Sequence, residues 1–241
     1  MYKPFQRYLE RSLFENFDLQ SEPIPQGLDR NTSERGKSPA TIQSWCYRCP
    51  EFRKIRYTYI DAGEAAQVFN SVIYPDHHYD APILGIDLLS FGKKKILVVI
   101  DFQPLFRDNA YTERYVEPMR DMYERYGDLA QDLGMKFYDA NQYFSKYLLF
   151  AKTDLETVER RVLPAFQDYV SSYWEMISKA TPLTNPSDVQ RIVQAQKDYD
   201  QYSAERDPAH GLFSSYFGPA WADRFLYDFL FEDAVPLAVS H

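Results

Sequence analysis

Between Thr41 and Phe102 the chain alternates apolar and polar positions with a period of two, broken at short intervals by turn residues. That pattern predicts strands at Thr41–Cys49, Arg53–Ile60, Ala66–Tyr74, Pro82–Ser90 and Lys95–Phe102. The links between successive strands are too short for crossover connections, so an antiparallel meander is expected. The run Ile96-Leu-Val-Val-Ile is apolar on both faces, which requires layers on both sides of the sheet.

After Asp101 the spacing becomes helical. Tyr111–Tyr126 reads as a polar helix, and Tyr147–Ala151 returns one strand to the sheet. Asp154 opens a long amphipathic helix carrying Val158, Val162, Phe166, Val170 and Trp174, and Ser187 is placed to cap a second. Asp207-Pro208 begins a third helix, and Gly218-Pro219 a fourth that ends near Phe231. A first helix opens the chain, and Glu22–Ala40, rich in Pro, Gly, Ser and charge, reads as a long surface loop. The expectation is an α/β protein: one domain over residues 1–241, a three-layer α/β/α sandwich with a central antiparallel sheet flanked by helices. A ligand fits best between the sheet and the C-terminal helices.

Composition narrows the chemistry. Aromatic residues make up 17% of the chain, with 20 Tyr and 17 Phe, which suits either a Tyr-rich core or a pocket for a flat conjugated ligand. The net charge of −8 argues against nucleic-acid binding. No apolar run reaches the roughly 20 residues that span a bilayer. The N-terminus lacks the apolar region of a secretory signal, so a cytoplasmic protein is expected. Arg48, Arg53, Lys54 and Arg56 cluster in one hairpin and Lys93, Lys94 and Lys95 in another turn. They read as solvated turn charges or as a docking face for a small acidic partner. The nine glycines are spaced too widely for a G-x-G-x-x-G fingerprint or a P-loop. Cys46 and Cys49 sit in a strand pattern without further ligands nearby, and read as structural; no metal site is expected.

What stands out is carboxylates inside apolar strands, Asp87 in Ile83-Leu-Gly-Ile-Asp-Leu-Leu and Asp101 in Leu97-Val-Val-Ile-Asp-Phe. A buried carboxylate must be protonated, paired or placed on a cavity, and for each a salt bridge is the bland alternative. A two-residue turn at Gly92-Lys93 would put the two acids on opposite faces of the sheet; a three-residue turn would put them on one. Gly85 leaves the Asp87 face open where a ligand could approach the backbone.

Four motifs, in order and spacing, resemble the core of the ferredoxin-dependent bilin reductases: Asn70-Ser-Val-Ile-Tyr-Pro, Pro82-Ile-Leu-Gly-Ile-Asp-Leu-Leu, Val99-Ile-Asp-Phe-Gln-Pro, and Tyr202-Ser-Ala-Glu-Arg-Asp-Pro-Ala-His-Gly-Leu-Phe with Phe217-Gly-Pro-Ala-Trp after it. The resemblance implies biliverdin IXα as substrate, reduced ferredoxin as electron donor and no bound cofactor. It implies Asp87 and Asp207 as catalytic acids, with Asn70 beside them in the substrate site. Asn70 stands where phycocyanobilin-forming members carry a catalytic His, and Thr58 where they carry a Glu used on the vinyl group. Ser203 stands where A-ring-reducing members carry an Arg. These departures point to reduction of the C15–C16 methine bridge by two electrons, with the product passing to a second reductase in a cyanobacterial cytoplasm. A sibling reductase or a non-catalytic bilin carrier are the alternatives. Asp207 is also placed to cap a helix with Pro208 at its first position, so its role stays open between substrate contact and capping.

Overall fold

The computed structural model describes residues 1–35, 38–92, 96–130, 138–139 and 141–236. The expected meander is present as β3 (Ala40–Cys49), β4 (Phe52–Asp61), β5 (Gln67–Pro75), β6 (Ile83–Ser90) and β7 (Ile96–Gln103), joined at its far edge by β8 (Leu149–Thr153). Each pairs antiparallel with its neighbour. The segment expected as a loop before β3 carries two short strands, β1 (Gln20–Ser21) and β2 (Arg30–Ser33), both paired with β3. Its backbone is held by the C-terminal helices. Trp221 Nε1 donates to Gly27 O at 2.8 Å, and Ser33 Oγ donates to Tyr216 O. Partners that distant in sequence leave no local pattern.

One face of the sheet is covered by α1 (Lys3–Asn16) and the long helix α5 (Leu163–Ser178), whose Phe5 and Phe166 rings meet edge to face at 5.1 Å. Phe166 also contacts Phe69 of β5, and Tyr173 contacts Phe102 of β7. The other face is covered by α6 (Pro186–Arg206), α7 (Ala209–Phe217), α8 (Pro219–Arg224) and a π-helical turn at Phe225–Leu230. The three-layer α/β/α sandwich is therefore observed.

Two expected helices are interrupted. The Tyr111–Tyr126 segment divides into α2 (Asn109–Tyr111), a π turn (Thr112–Val116), a 3-10 turn (Glu117–Met119) and α3 (Arg120–Arg125). The helix opened by Asp154 begins as α4 (Leu155–Thr157), passes through a π turn (Val158–Val162) and continues as α5. Pro118 and Pro164 sit at these breaks; each lacks the N–H that an unbroken α ladder needs. Asn185, not Ser187, caps α6: its side chain accepts from Ser187 N at 3.0 Å.

Candidate active site

Strand register builds the site. Across four strands, Ser44 pairs with Thr58, Thr58 with Asn70, Asn70 with Asp87, and Asp87 with Val99. Directly paired residues share a face, so this row lies under the C-terminal helices together with the next row, Cys46, Arg56, Val72, Gly85 and Asp101. Ser90 pairs with Ile96, an odd-length connection that places Asp87 and Asp101 on the same face, as the three-residue turn would have done. Lys93, Lys94 and Lys95 lie outside the described residues.

The two strand acids have different environments. Asp101 is fully buried and has no salt bridge among the described residues: Ser145 donates to it through both its backbone N–H and its hydroxyl. Burial pushes its pKa up to about 7, against the pull of those Ser145 donors. It anchors the chain that leads into β8. Asp87 is half-buried and forms no ion pair among the described residues; Asn70 Nδ2 donates to its Oδ1 at 3.5 Å. Burial pushes Asp87 up to about 7, the neighbouring Asp207 charge adds to the rise, and Asn70 and Arg56 oppose it. At neutral pH such a group holds a transferable proton.

Asp207 does reach this site. It follows α6, is half-buried, and its pKa is raised by burial, against the Ala209 N–H, Arg56 and His210. Its Oδ1 accepts from Ala209 N at 2.8 Å, so it also closes the first turn before α7. The capping bond is therefore present, and the Asp207 charge reaches Asp87 as well. Thr58 is buried and shares a hydrogen bond with Ser44 at 3.0 Å, and Ser203 is buried on α6. Neither brings charge to the site.

Three features escaped the sequence. Tyr138 is half-buried where its own desolvation first, and then the charges of Asp207 and Asp87, raise its pKa well above the usual tyrosine range. Its ring meets Phe144 at 5.7 Å and Tyr202 at 6.2 Å, which sets aromatic side chains beside the two acids. Gln103 fills the space over Gly85, so that glycine makes room for a side chain and not for a ligand. Arg56 is 1% exposed and Lys54 4%, so these two cations of the basic hairpin offer a docking partner almost no surface. Lys54 Nζ donates to Phe229 O at 2.6 Å, and Arg56 Nε donates to Leu230 O at 3.1 Å. Both cations cap the last carbonyls of the C-terminal helix. Arg53 pairs with Asp233 at 3.4 Å, and Arg48 with Glu22. The alternation of β4 did place Lys54, Arg56 and Thr58 on one face, and a sheet covered on both sides had to bury them. A separate cleft of about 380 Å³, lined by Phe102, Arg114, Met119 and Met176 among others, opens in the opposite layer, away from Asp87.

This constellation is that of an acid site under an aromatic roof, and the comparisons identify its class. The model of the ferredoxin-dependent bilin reductases matches residues 6–232, and the chain belongs to that family. Among curated relatives, it is 68% identical over 240 residues to the 15,16-dihydrobiliverdin:ferredoxin oxidoreductase of Nostoc punctiforme, covering 100% of this chain and 98% of the relative. It is 69% identical to the enzyme of that name from Gloeobacter violaceus, with the same coverage. Among solved structures, phytochromobilin synthase from tomato, in complex with biliverdin, superposes with a TM-score of 0.88 over 97% of this chain and 83% of that one, at 20% identity. That likeness establishes the fold.

Proposed function

We propose that this chain reduces biliverdin IXα at the C15–C16 methine bridge to 15,16-dihydrobiliverdin, taking two electrons one at a time from reduced ferredoxin and two protons from the site and solvent. The carrying observation is Asp87: a carboxyl held near neutrality on the sheet face, in a chain 68% identical to a relative named for this reaction. Each electron that enters the bilin makes it more basic, and the conjugated system can hold the radical between steps. The chain then needs to hold the bilin and supply protons. Asp87 is the proton donor in this reading, with Asn70 and Asp207 at the same substrate site. Thr58, Asn70 and Ser203 offer no acid or cation for vinyl or A-ring chemistry, so reduction stops after two electrons. The glycine spacing supports direct transfer from ferredoxin to bilin without a nucleotide cofactor in between. The cyanobacterial relatives support a cyanobacterial cytoplasm as the setting, with a second reductase receiving the product.

An anaerobic turnover assay with biliverdin IXα and reduced ferredoxin tests the reading. The expected product is 15,16-dihydrobiliverdin, identified by absorption and chromatography. Phycoerythrobilin or phycocyanobilin as main product would assign a sibling activity, and unchanged but tightly bound biliverdin would make the chain a carrier.

A further inference from the structure

Arg56 reaches beyond its helix-capping role. While Nε holds Leu230 O, Nη1 donates to Asn70 Oδ1 at 2.7 Å, and the guanidinium lies 5.3 Å from the centre of the Phe231 ring. A guanidinium has five donors and no acceptor, so it can face only the oxygen of the Asn70 amide. That fixes the amide's orientation by chemistry. Asn70 Nδ2 is left facing two acceptors, Ile86 O at 3.4 Å and Asp87 Oδ1 at 3.5 Å.

We propose that Arg56 is a positioning residue for proton delivery: by holding the oxygen of Asn70, it obliges Asn70 to present only N–H to Asp87, which keeps the acid's proton on Oδ2 and free for the substrate. The inference rests on Asp87 as the donor. With the amide reversed, an acceptor would face Asp87. The carboxylic proton would then be taken into a hydrogen bond between β5 and β6 and withheld from the cavity. The length of the Asn70–Asp87 contact matters as well. A donor at 3.5 Å steers the proton without strongly favouring the carboxylate, which leaves Asp87 acidic enough to give its proton and basic enough to recover it.

Among the described residues, the titratable and charged groups acting on or responding to Asp87 are Asp207, Arg56, Tyr138 and Tyr2. Among them Arg56 is the cation that lowers its pKa. Removing that cation should therefore raise the pKa and carry the alkaline limb of proton transfer to higher pH. Losing the orientation should at the same time lower the plateau. A fold defect would lower the plateau without moving the limb upward.

The experiment is anaerobic single turnover with reduced ferredoxin, following decay of the bilin radical across pH. Arg56→Met should slow decay at the acidic plateau on the order of tenfold, as for a misdirected general acid, with the limb shifted upward. Arg56→Lys, which keeps the charge and a donor, should recover most of the rate. In an Asn70→Leu background, where no amide can turn, Arg56→Met should slow decay by less than about threefold, since coupled residues are non-additive. Wild-type decay in Arg56→Met, or equal slowing in both backgrounds, overturns the proposal. Infrared difference spectra of the biliverdin complex give a second reading that leaves Arg56 in place. The Asp87 carboxylic C=O band, assigned by its loss in Asp87→Asn, should move to higher frequency in Asn70→Leu, and a stationary band overturns the proposal. Asp87→Asn run in parallel separates the two claims. If it decays at the wild-type rate, the donor assignment fails. If it stalls while Arg56→Met behaves as wild type, the positioning role alone fails.

Discussion

The side-chain amide of Gln103 occupies the space that a Cβ on Gly85 would need: an added Cβ would lie 2.6 Å from Oε1 and 2.7 Å from Cδ. Gly85 and Gln103 lie on adjacent strands of the same face, and Gln103 Oε1 accepts from the buried Tyr199 hydroxyl of α6 at 2.6 Å. The glycine thus permits a link between the sheet and the helix α6 that covers this face.

Gly85→Ala should push Gln103 aside and break the Tyr199 bond. The expected cost is about 1–3 kcal/mol of stability, the usual range for overpacking a fitted core, together with weaker biliverdin binding. Chemical denaturation and a bilin titration measure both. Because the clash is with one side chain, Gly85→Ala should cost much less in a Gln103→Ser background. Equal costs in the two backgrounds would place the strain elsewhere.

Asp207 joins a cap to an acid, and two substitutions separate them. Asp207→Asn retains an oxygen for the Ala209 N–H, so its stability should stay close to wild type, whereas Asp207→Ala should lose about 1 kcal/mol as a missing cap. Loss of the negative charge in either variant removes one cause of the raised pKa of Asp87. The Asp87 pKa then falls, its acid form is lost at lower pH, and the alkaline limb of turnover should move down. An upward or absent shift would mean that the two carboxyls do not sense each other.

The strands and their faces were readable because each is an unbroken period-two segment with a short link, and Asp87 was readable because a carboxylate among Ile86, Leu88 and Leu89 demands an explanation. Arg56 was misread although the same alternation put it beside Thr58. Its partner Leu230 lies 174 positions away, and no local rule announces that helix carbonyls will arrive over the strand. The β1 and β2 pairings and the Gln103–Tyr199 link escaped for the same reason. Tyr138 had no apolar period around it to assign its face. Thus periodicity yielded the scaffold and the acid, while the groups that tune the acid depend on contacts made at long range.

Asp101 gives a pH dependence to stability. Its folded pKa is raised to about 7 by burial, above the ordinary carboxylate value near which it titrates when unfolded. Between those two values the native state binds more protons than the unfolded state, so this group's contribution is full below the unfolded pKa and is lost as pH rises through about 7. Asp101→Asn should flatten that decline and gain on wild type from pH 5 to pH 8, read as denaturation midpoints across the interval. A wild-type slope unchanged by the substitution would assign the dependence to other groups.

Lys54 tests the reading of the buried hairpin cations. Lys54→Met leaves Phe229 O without its donor and leaves the half-exposed Glu232 with only the longer Arg53 contact at 3.9 Å among the described residues. A loss of about 1–3 kcal/mol is expected for the stranded buried carbonyl. The salt dependence of turnover at subsaturating ferredoxin should not change, because a side chain 4% exposed offers a partner almost no charge. A flattened salt slope in this variant would make Lys54 part of the docking face.

Asp87→Asn is the most direct probe of the chemistry. The amide matches the carboxyl in size and can still meet Asn70, so the fold and bilin affinity should persist. It removes the proton that the site holds near neutral pH. The first electron should enter the bound bilin as in the wild type, and the radical should then accumulate, visible by electron paramagnetic resonance and absorption. Product formation should fall by about 10²–10⁴, the range for loss of a general acid. In the wild type, turnover should decline as pH rises through about 7, the value to which burial and Asp207 raise Asp87, because the donor must be protonated before each cycle. The variant's residual rate should lack that limb. If Asp87→Asn turns over within a few-fold of wild type and retains the limb, the proton comes from another group, and Asp207, whose charge reaches Asp87, becomes the donor to test.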